Sequence, residues 1–150
     1  MNKIESFKVD HRTIKVGVYI SRVDGDITTY DMRTRKPNTG DVMDNITMHT
    51  VEHMFATFIR NSAIADDVIY FGPMGCQTGF YLLVRNADNL KVISFIKSVL
   101  LHILDYNGEV FGATEVECGN YRTLNLSSAK TECLSYYNAI KGISFENLKY

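Results

Sequence analysis

No excess of charge of either sign marks this chain. Sixteen basic residues stand against seventeen acidic ones, for a formal net charge of −1. The basic residues are scattered, apart from the short Arg33-Thr34-Arg35-Lys36 group, so nothing provides an electrostatic footprint for nucleic acid or an anionic membrane surface. Long apolar runs are missing as well. Runs such as Phe80–Val84 and Val99–Leu101 fall far short of the roughly 20 residues a membrane-spanning helix needs. The opening MNKIESFKVDH places Asp, Glu and His where a secretory signal needs an apolar core, and the expected compartment is the cytoplasm. Proline occurs only twice, at turn positions, and no linker, repeat or low-complexity tract divides the chain. Three cysteines cannot all pair with one another. In a reducing compartment each is a ligand, a reactive thiol or a small buried residue.

What is present is the composition of one globular domain: 150 residues, 45% hydrophobic and 22% charged. Thr13–Arg22 and Asp26–Arg33 are rich in β-branched and aromatic residues and flank an Asp24-Gly25 turn, which predicts a hairpin. A helix is expected from about Asn45 to Asn61. A second strand pair, Asp67–Phe71 and Thr78–Arg85, is joined through Gly72-Pro73-Met74-Gly75-Cys76, whose glycines permit unusual dihedrals. Asp88 reads as the N-cap of a helix reaching Tyr106 and ended by Asn107-Gly108. A last helix runs from Ser128 to Lys141, with Cys133 on an apolar face beside Ala129, Leu134, Tyr137 and Ile140. Hairpin-like connections favour an α+β fold, an antiparallel sheet with helices packed on it.

The chemistry gathers in His49-Thr50-Val51-Glu52-His53 on the first helix. With His49 at zero and about 100° per residue, Glu52 falls near 300°, His53 near 40° and Arg60 near 20°. Val51, Met54, Phe55 and Phe58 centre on roughly 190° and form the core face. Two imidazoles at i and i+4 can each direct a nitrogen at one ion, and the carboxylate beside them can move protons without ligating. The same stripe also reads as a solvated helix face. A further ligand is needed, and Cys118, in the loop Glu117-Cys118-Gly119-Asn120, is a candidate; spacing alone reads it equally well as a small buried residue. Glu115, Glu117 and His102 are weaker candidates. Cys76, in its tight turn, is an exposed thiol whose pKa a nearby cation would lower.

Taken together, these stretches resemble one family, the S-ribosylhomocysteine lyases (LuxS family), along the whole chain. The resemblance is carried by Glu5-Ser6-Phe7 with Asp10-His11, Asp31-Met32-Arg33 with Pro37-Asn38, the His49–His53 motif, Pro73-Met74-Gly75-Cys76-Gln77-Thr78-Gly79-Phe80-Tyr81, and Cys118-Gly119. It implies a homodimer with active sites at the subunit interface. It implies that His49, His53 and Cys118 hold one divalent metal per subunit, Fe(II) natively with zinc or cobalt as substitutes. Glu52 and Cys76 are then the acid/base pair, and Ser6, His11, Arg33 and Arg60 line the substrate site, some of them from across the interface. The implied reaction splits S-ribosylhomocysteine into homocysteine and 4,5-dihydroxy-2,3-pentanedione, the autoinducer-2 precursor, by carbonyl migration and β-elimination.

The chain departs from the family pattern in two places. Tyr70-Phe71-Gly72 stands where Asp-Ile-Ser is common, and Thr34-Arg35 where Phe-Cys is common. Two other functions compete. A zinc peptidase of the H-x-x-E-H type leaves Cys76 without a role and is normally a much longer protein. A non-catalytic metal-binding module makes both Glu52 and Cys76 dispensable.

Overall fold

The computed structural model describes residues 1–150. Four strands form one antiparallel sheet in the order β1-β2-β4-β3, where β1 is Gly17–Asp24, β2 Ile27–Arg33, β3 Val68–Pro73 and β4 Gly79–Arg85. Three helices, α1 (Asn45–Ile59), α2 (Asn89–Asp105) and α3 (Leu126–Ile140), pack together, with α1 laid against β3. The α+β expectation holds. No helix is long and apolar enough to cross a membrane.

Strand alternation sorts the sheet into two faces. Val18, Tyr30, Met32, Phe71, Phe80 and Leu82 are buried toward the helices, where Phe55 stacks on Phe71 at 4.3 Å between ring centroids and Phe71 on Phe80 at 5.1 Å. Each such side chain contributes about 1.5–3 kcal/mol by leaving water. The other face carries Tyr19, Thr29, Asp31, Arg33 and Tyr81; the C-terminal Tyr150, stacked on Tyr19 at 4.8 Å, covers it at Asp31, and the short N-terminal turn around Ser6 lies beside Thr29 and Tyr81.

Local signals set the helix starts. The Asp44 carboxylate accepts the Thr47 N–H at 2.7 Å, and the Asp88 carboxylate accepts those of Leu90 and Lys91. Helix α3 begins at Leu126, two residues before the expected start, capped by Asn125, whose side chain accepts from Ser128 N–H at 3.1 Å. The first strand begins at Gly17 rather than Thr13, because ladder pairing starts at Gly17 opposite Arg33. On α3 the buried stripe is Ala129, Cys133, Tyr136 and Ile140. Leu134 is exposed, lying about 100° around the helix from Cys133. The Tyr136 hydroxyl donates to the Gly17 carbonyl at 2.8 Å and fastens α3 to the start of β1.

The unusual Arg35 has a structural partner. It forms a two-pronged pair with the buried Glu132 of α3, Nη2–Oε2 at 2.5 Å and Nε–Oε1 at 3.1 Å, and also meets Asp41. An ion pair of that geometry holds the segment after β2 onto the helical layer, with both carboxylate oxygens satisfied.

Candidate active site

The α1 stripe comes out as its spacing dictates, with His49, Glu52 and His53 half-buried on the face opposite Val51, Met54 and Phe55. The loop between α2 and α3 folds back over that stripe and delivers Cys118. Ligand atoms of His49, His53 and Cys118 all lie within 4.8 Å of one another, with Cys118 Sγ 3.4 Å from His49 Nε2. The two imidazoles meet edge to face, 4.6 Å between centroids. The thiol of Cys118, left open by spacing, is therefore a partner of the histidine pair rather than a core residue.

The donor set fits a divalent transition metal. Two imidazoles and a thiolate converging on one point are three protein ligands, the number that leaves a coordination position open for chemistry. His53 Nδ1 lies 2.7 Å from the Phe111 carbonyl oxygen, which can only accept, so Nδ1 carries a proton and Nε2 is the nitrogen left to serve as ligand. Burial and the neighbouring His53 hold the His49 imidazole below its ordinary pKa, against an opposing pull from Glu52, so His49 is neutral near pH 7. Glu52 has no hydrogen-bond or ion-pair partner and lies free beside the three donors. Of the weaker candidates, Glu117 is taken by the Thr114 hydroxyl at 2.6 Å, and exposed His102 lies against Phe58. Neither they nor Glu115 join the triad.

A second cluster surrounds Cys76. Its Sγ lies 3.0 Å from Thr78 Oγ1 and 3.8 Å from Arg33 Nη1, and Arg33 Nη1 donates to Thr78 Oγ1 at 2.7 Å. Arg33 is only 2% exposed and is clamped by Asp31 through Nε–Oδ1 at 3.1 Å and Nη2–Oδ2 at 2.6 Å. Asp31 in turn accepts the Tyr150 hydroxyl at 2.7 Å. Gly79 makes room for this arrangement, since a Cβ there would stand 2.5 Å from the Met32 carbonyl oxygen. Partial burial pushes the Cys76 thiol up. Hydrogen bonds at Thr78 and the charge of Arg33 outweigh burial, and the thiol ends below its ordinary value. Thr78→Val, which keeps the shape and removes the hydroxyl, should move the midpoint of Cys76 alkylation by iodoacetamide to higher pH. An unchanged midpoint would remove Thr78 from the thiol's environment. Buried Cys133, pushed up to about 12 by desolvation, stays silent in that assay.

The turn holding Cys76 owes its shape to a residue that the glycine pattern does not indicate. Gln77, not Gly72 or Gly75, takes the left-handed conformation, at φ 60. Gln77 is held by its side chain donating to Asn45 Oδ1 at 2.9 Å and by its carbonyl accepting from Met43 N–H at 3.0 Å. The thiol turn is thus docked at the start of α1.

The remaining expected site residues are spread out. Ser6 lines an open cleft of about 310 Å³ on the sheet face away from the helices, with Tyr70, Tyr81 and Arg22. The unusual Tyr70 is therefore a wall of the cleft that Ser6 enters. His11 Nδ1 lies 2.9 Å from the Val9 carbonyl oxygen. Arg60 lies about 10 Å along α1 from His53 and donates to the Ile69 and Val68 carbonyls of β3 at 2.8 and 3.3 Å. No hydrogen bond or ion pair within the chain joins the Cys76 cluster to the metal triad or to Glu52. Sequence reasoning assigned no role to Asp31, Thr78, Phe111 or Tyr150. For Asp31 a signal existed, because positions 31 and 33 of one strand share a face.

Comparison with known proteins agrees with this geometry. A family model described as S-Ribosylhomocysteinase (LuxS) matches residues 4–146. Curated relatives named S-ribosylhomocysteine lyase include those of Finegoldia magna (46% identical), Clostridium acetobutylicum (42%) and Borreliella afzelii (40%), each alignment covering 100% of this chain and 99% of the relative. With nearly the whole length matched, and the two histidines, the intervening glutamate and the two loop cysteines placed as described, the chain belongs to the S-ribosylhomocysteinase (LuxS) family.

Proposed function

We propose that this protein cleaves S-ribosylhomocysteine to homocysteine and 4,5-dihydroxy-2,3-pentanedione, with His49, His53 and Cys118 holding one divalent metal per subunit. The observation that carries the reading is the convergence of three soft-to-borderline ligand atoms beside the unpartnered carboxylate of Glu52. Fe(II) is the metal we assign, with zinc or cobalt as substitutes that the same donors accept. Bound there, the ion supplies Lewis acidity that makes a C–H beside a sugar carbonyl easier to ionise.

The chain's own groups do the proton work. Cys76, whose thiol Thr78 and Arg33 hold below its ordinary pKa, removes the proton from C2 of the open-chain ribose and returns one to C1. Glu52 moves the hydroxyl and carbonyl protons, so that the carbonyl shifts from C1 to C2 and, by a repeat, to C3. With a carbonyl at C3 the C4 proton becomes acidic. Its removal expels the C5 sulfur as homocysteine thiolate, which takes up a proton, and the resulting enol rearranges to the diketone. The oxidation is internal to the sugar, so no redox cofactor enters. Ser6, His11, Arg33 and Arg60 are assigned to substrate binding and its surroundings, with Arg33 acting through Cys76 and Thr78.

A homodimer with shared sites accounts for two clusters that no hydrogen bond or ion pair joins within one chain. The thiol cluster and Ser6 belong to the sheet face that turns away from the helices, where Ile4 and Tyr70 leave apolar surface exposed, whereas the proposed metal ligands and Glu52 belong to α1 and the loop before α3. A second copy seated on that face would bring one chain's thiol to the other's metal. Three free thiols fit a cytoplasmic enzyme.

The test is direct. Protein purified without oxygen and given S-ribosylhomocysteine should release homocysteine thiol above an enzyme-only blank, and a chelator should stop the release. No release from folded, metal-loaded protein would overturn the assignment. Metal-dependent hydrolysis of a peptide mixture would then favour the peptidase reading, and its absence the binding module.

A further inference from the structure

We propose that the Phe111–Gly112 step is the positioning element of the metal centre: the Phe111 carbonyl selects the ligating nitrogen of His53, and Gly112 leaves the space that the ring occupies. The inference deepens the metal-site reading and rests on it.

Three independent features converge on this step. First, the Phe111 carbonyl accepts the Nδ1 proton of His53 at 2.7 Å, which fixes both the tautomer and the plane of the ring. Second, Gly112 sits at φ 69, and a Cβ there would stand 3.0 Å from His53 Nδ1 and 3.2 Å from Cε1. Any side chain would be strained in that conformation and would push directly on the ligand. Third, the Phe111 ring is clamped between helices, 5.4 Å from Phe58 of α1 at 81° and 4.8 Å from Tyr106 at the end of α2.

That clamp explains residues the catalytic reading leaves idle. His102 lies against the same Phe58 ring at 5.7 Å, and the Tyr106 hydroxyl donates to the Glu109 carbonyl at 2.8 Å, tightening the turn that leads into Phe111. Farther along the same loop, Cys118 is set by its own N–H donating to the Thr114 carbonyl at 3.0 Å. One loop thus orients two of the three ligands, His53 from behind and Cys118 directly, and the aromatic box decides where that loop sits.

The experiment reads metal affinity, not turnover. Metal-free wild type, Gly112→Ala, Phe111→Ala and Phe111→Leu are titrated with Zn(II) against a chromophoric chelator and with Co(II) by visible absorption. Gly112→Ala and Phe111→Ala should bind about 10–100-fold more weakly, with altered Co(II) bands. Phe111→Leu, which keeps an apolar plug, should recover most of the loss. Circular dichroism of the metal-free proteins establishes that they are folded. Wild-type affinity and spectrum in folded Gly112→Ala would overturn the proposal. So would nitrogen NMR placing the proton of His53 on Nε2 in the wild-type protein, a measurement that needs no variant. If the weakening appears in a protein that releases no homocysteine, the positioning role stands and the substrate assignment falls.

Discussion

Cys76→Ala and Glu52→Gln should each lower homocysteine release by about 10²–10⁴-fold, the range that positioned acid/base groups supply, while metal content stays at the wild-type level. Neither side chain belongs to the triad, and neither is buried in the core, so loss of turnover would not be loss of metal or fold. Full activity in either variant would sink the proton-transfer roles. The two variants also test how the site is assembled. In the proposed homodimer, half of the dimers are mixed when equal amounts of the two inactive proteins are unfolded together and refolded. If Glu52 and Cys76 of one site come from different copies, each mixed dimer has one intact site, and about a quarter of wild-type activity returns. If both residues of a site belong to one chain, nothing returns. The absence of any hydrogen bond or ion pair between the Cys76 cluster and Glu52 makes the first outcome the expected one.

How much of this was readable before any coordinates depends on the range of the interaction. The α1 stripe is a matter of angle along one helix, so His49, Glu52 and His53 could be placed together from spacing alone. The hairpins and caps are equally local: Asp44, Asp88 and the alternation on β2 all act within four residues. Cys118 is a contact across 69 positions, and no spacing rule reports on it; its loop and thiol chemistry make it a candidate ligand, and the family resemblance is what separates it from a small buried residue. The buried chain of Tyr150, Asp31, Arg33, Thr78 and Cys76 joins β2, the thiol turn and the far end of the sequence, and its charges look like ordinary surface charges until the burial is known. The left-handed Gln77 is legible only in coordinates, because the turn is held by contacts to Asn45 and Met43 rather than by its glycines. Leu134 was placed on the wrong face by composition, and helical angle corrects it to Tyr136.

Cys118→Ala should empty the metal site. Structural zinc sites with four such donors bind with about 10–16 kcal/mol, which assigns about 2.5–4 kcal/mol to each ligand, or about 10²–10³ in affinity. The loss should be visible as metal retained by wild type and released by the variant on dialysis against a mild chelator, with homocysteine release falling in parallel. The fold should survive, because Cys118 lies in a loop and the hydrogen-bond partners of its sulfur are His49 and the N–H of Asn120. Cys133→Ala is the matched control. It removes a thiol of the same size from the α3 core, 1% exposed and remote from the triad, and should keep its metal while losing stability. Glu52→Gln completes the comparison by keeping metal and losing turnover. Unchanged metal content in Cys118→Ala would strike the thiol from the ligand set and leave the two histidines needing a donor from elsewhere, for which Glu52 is the nearest candidate on the same helix. In that event Glu52→Gln would lose metal as well, so the pair of variants separates a ligand from a proton carrier.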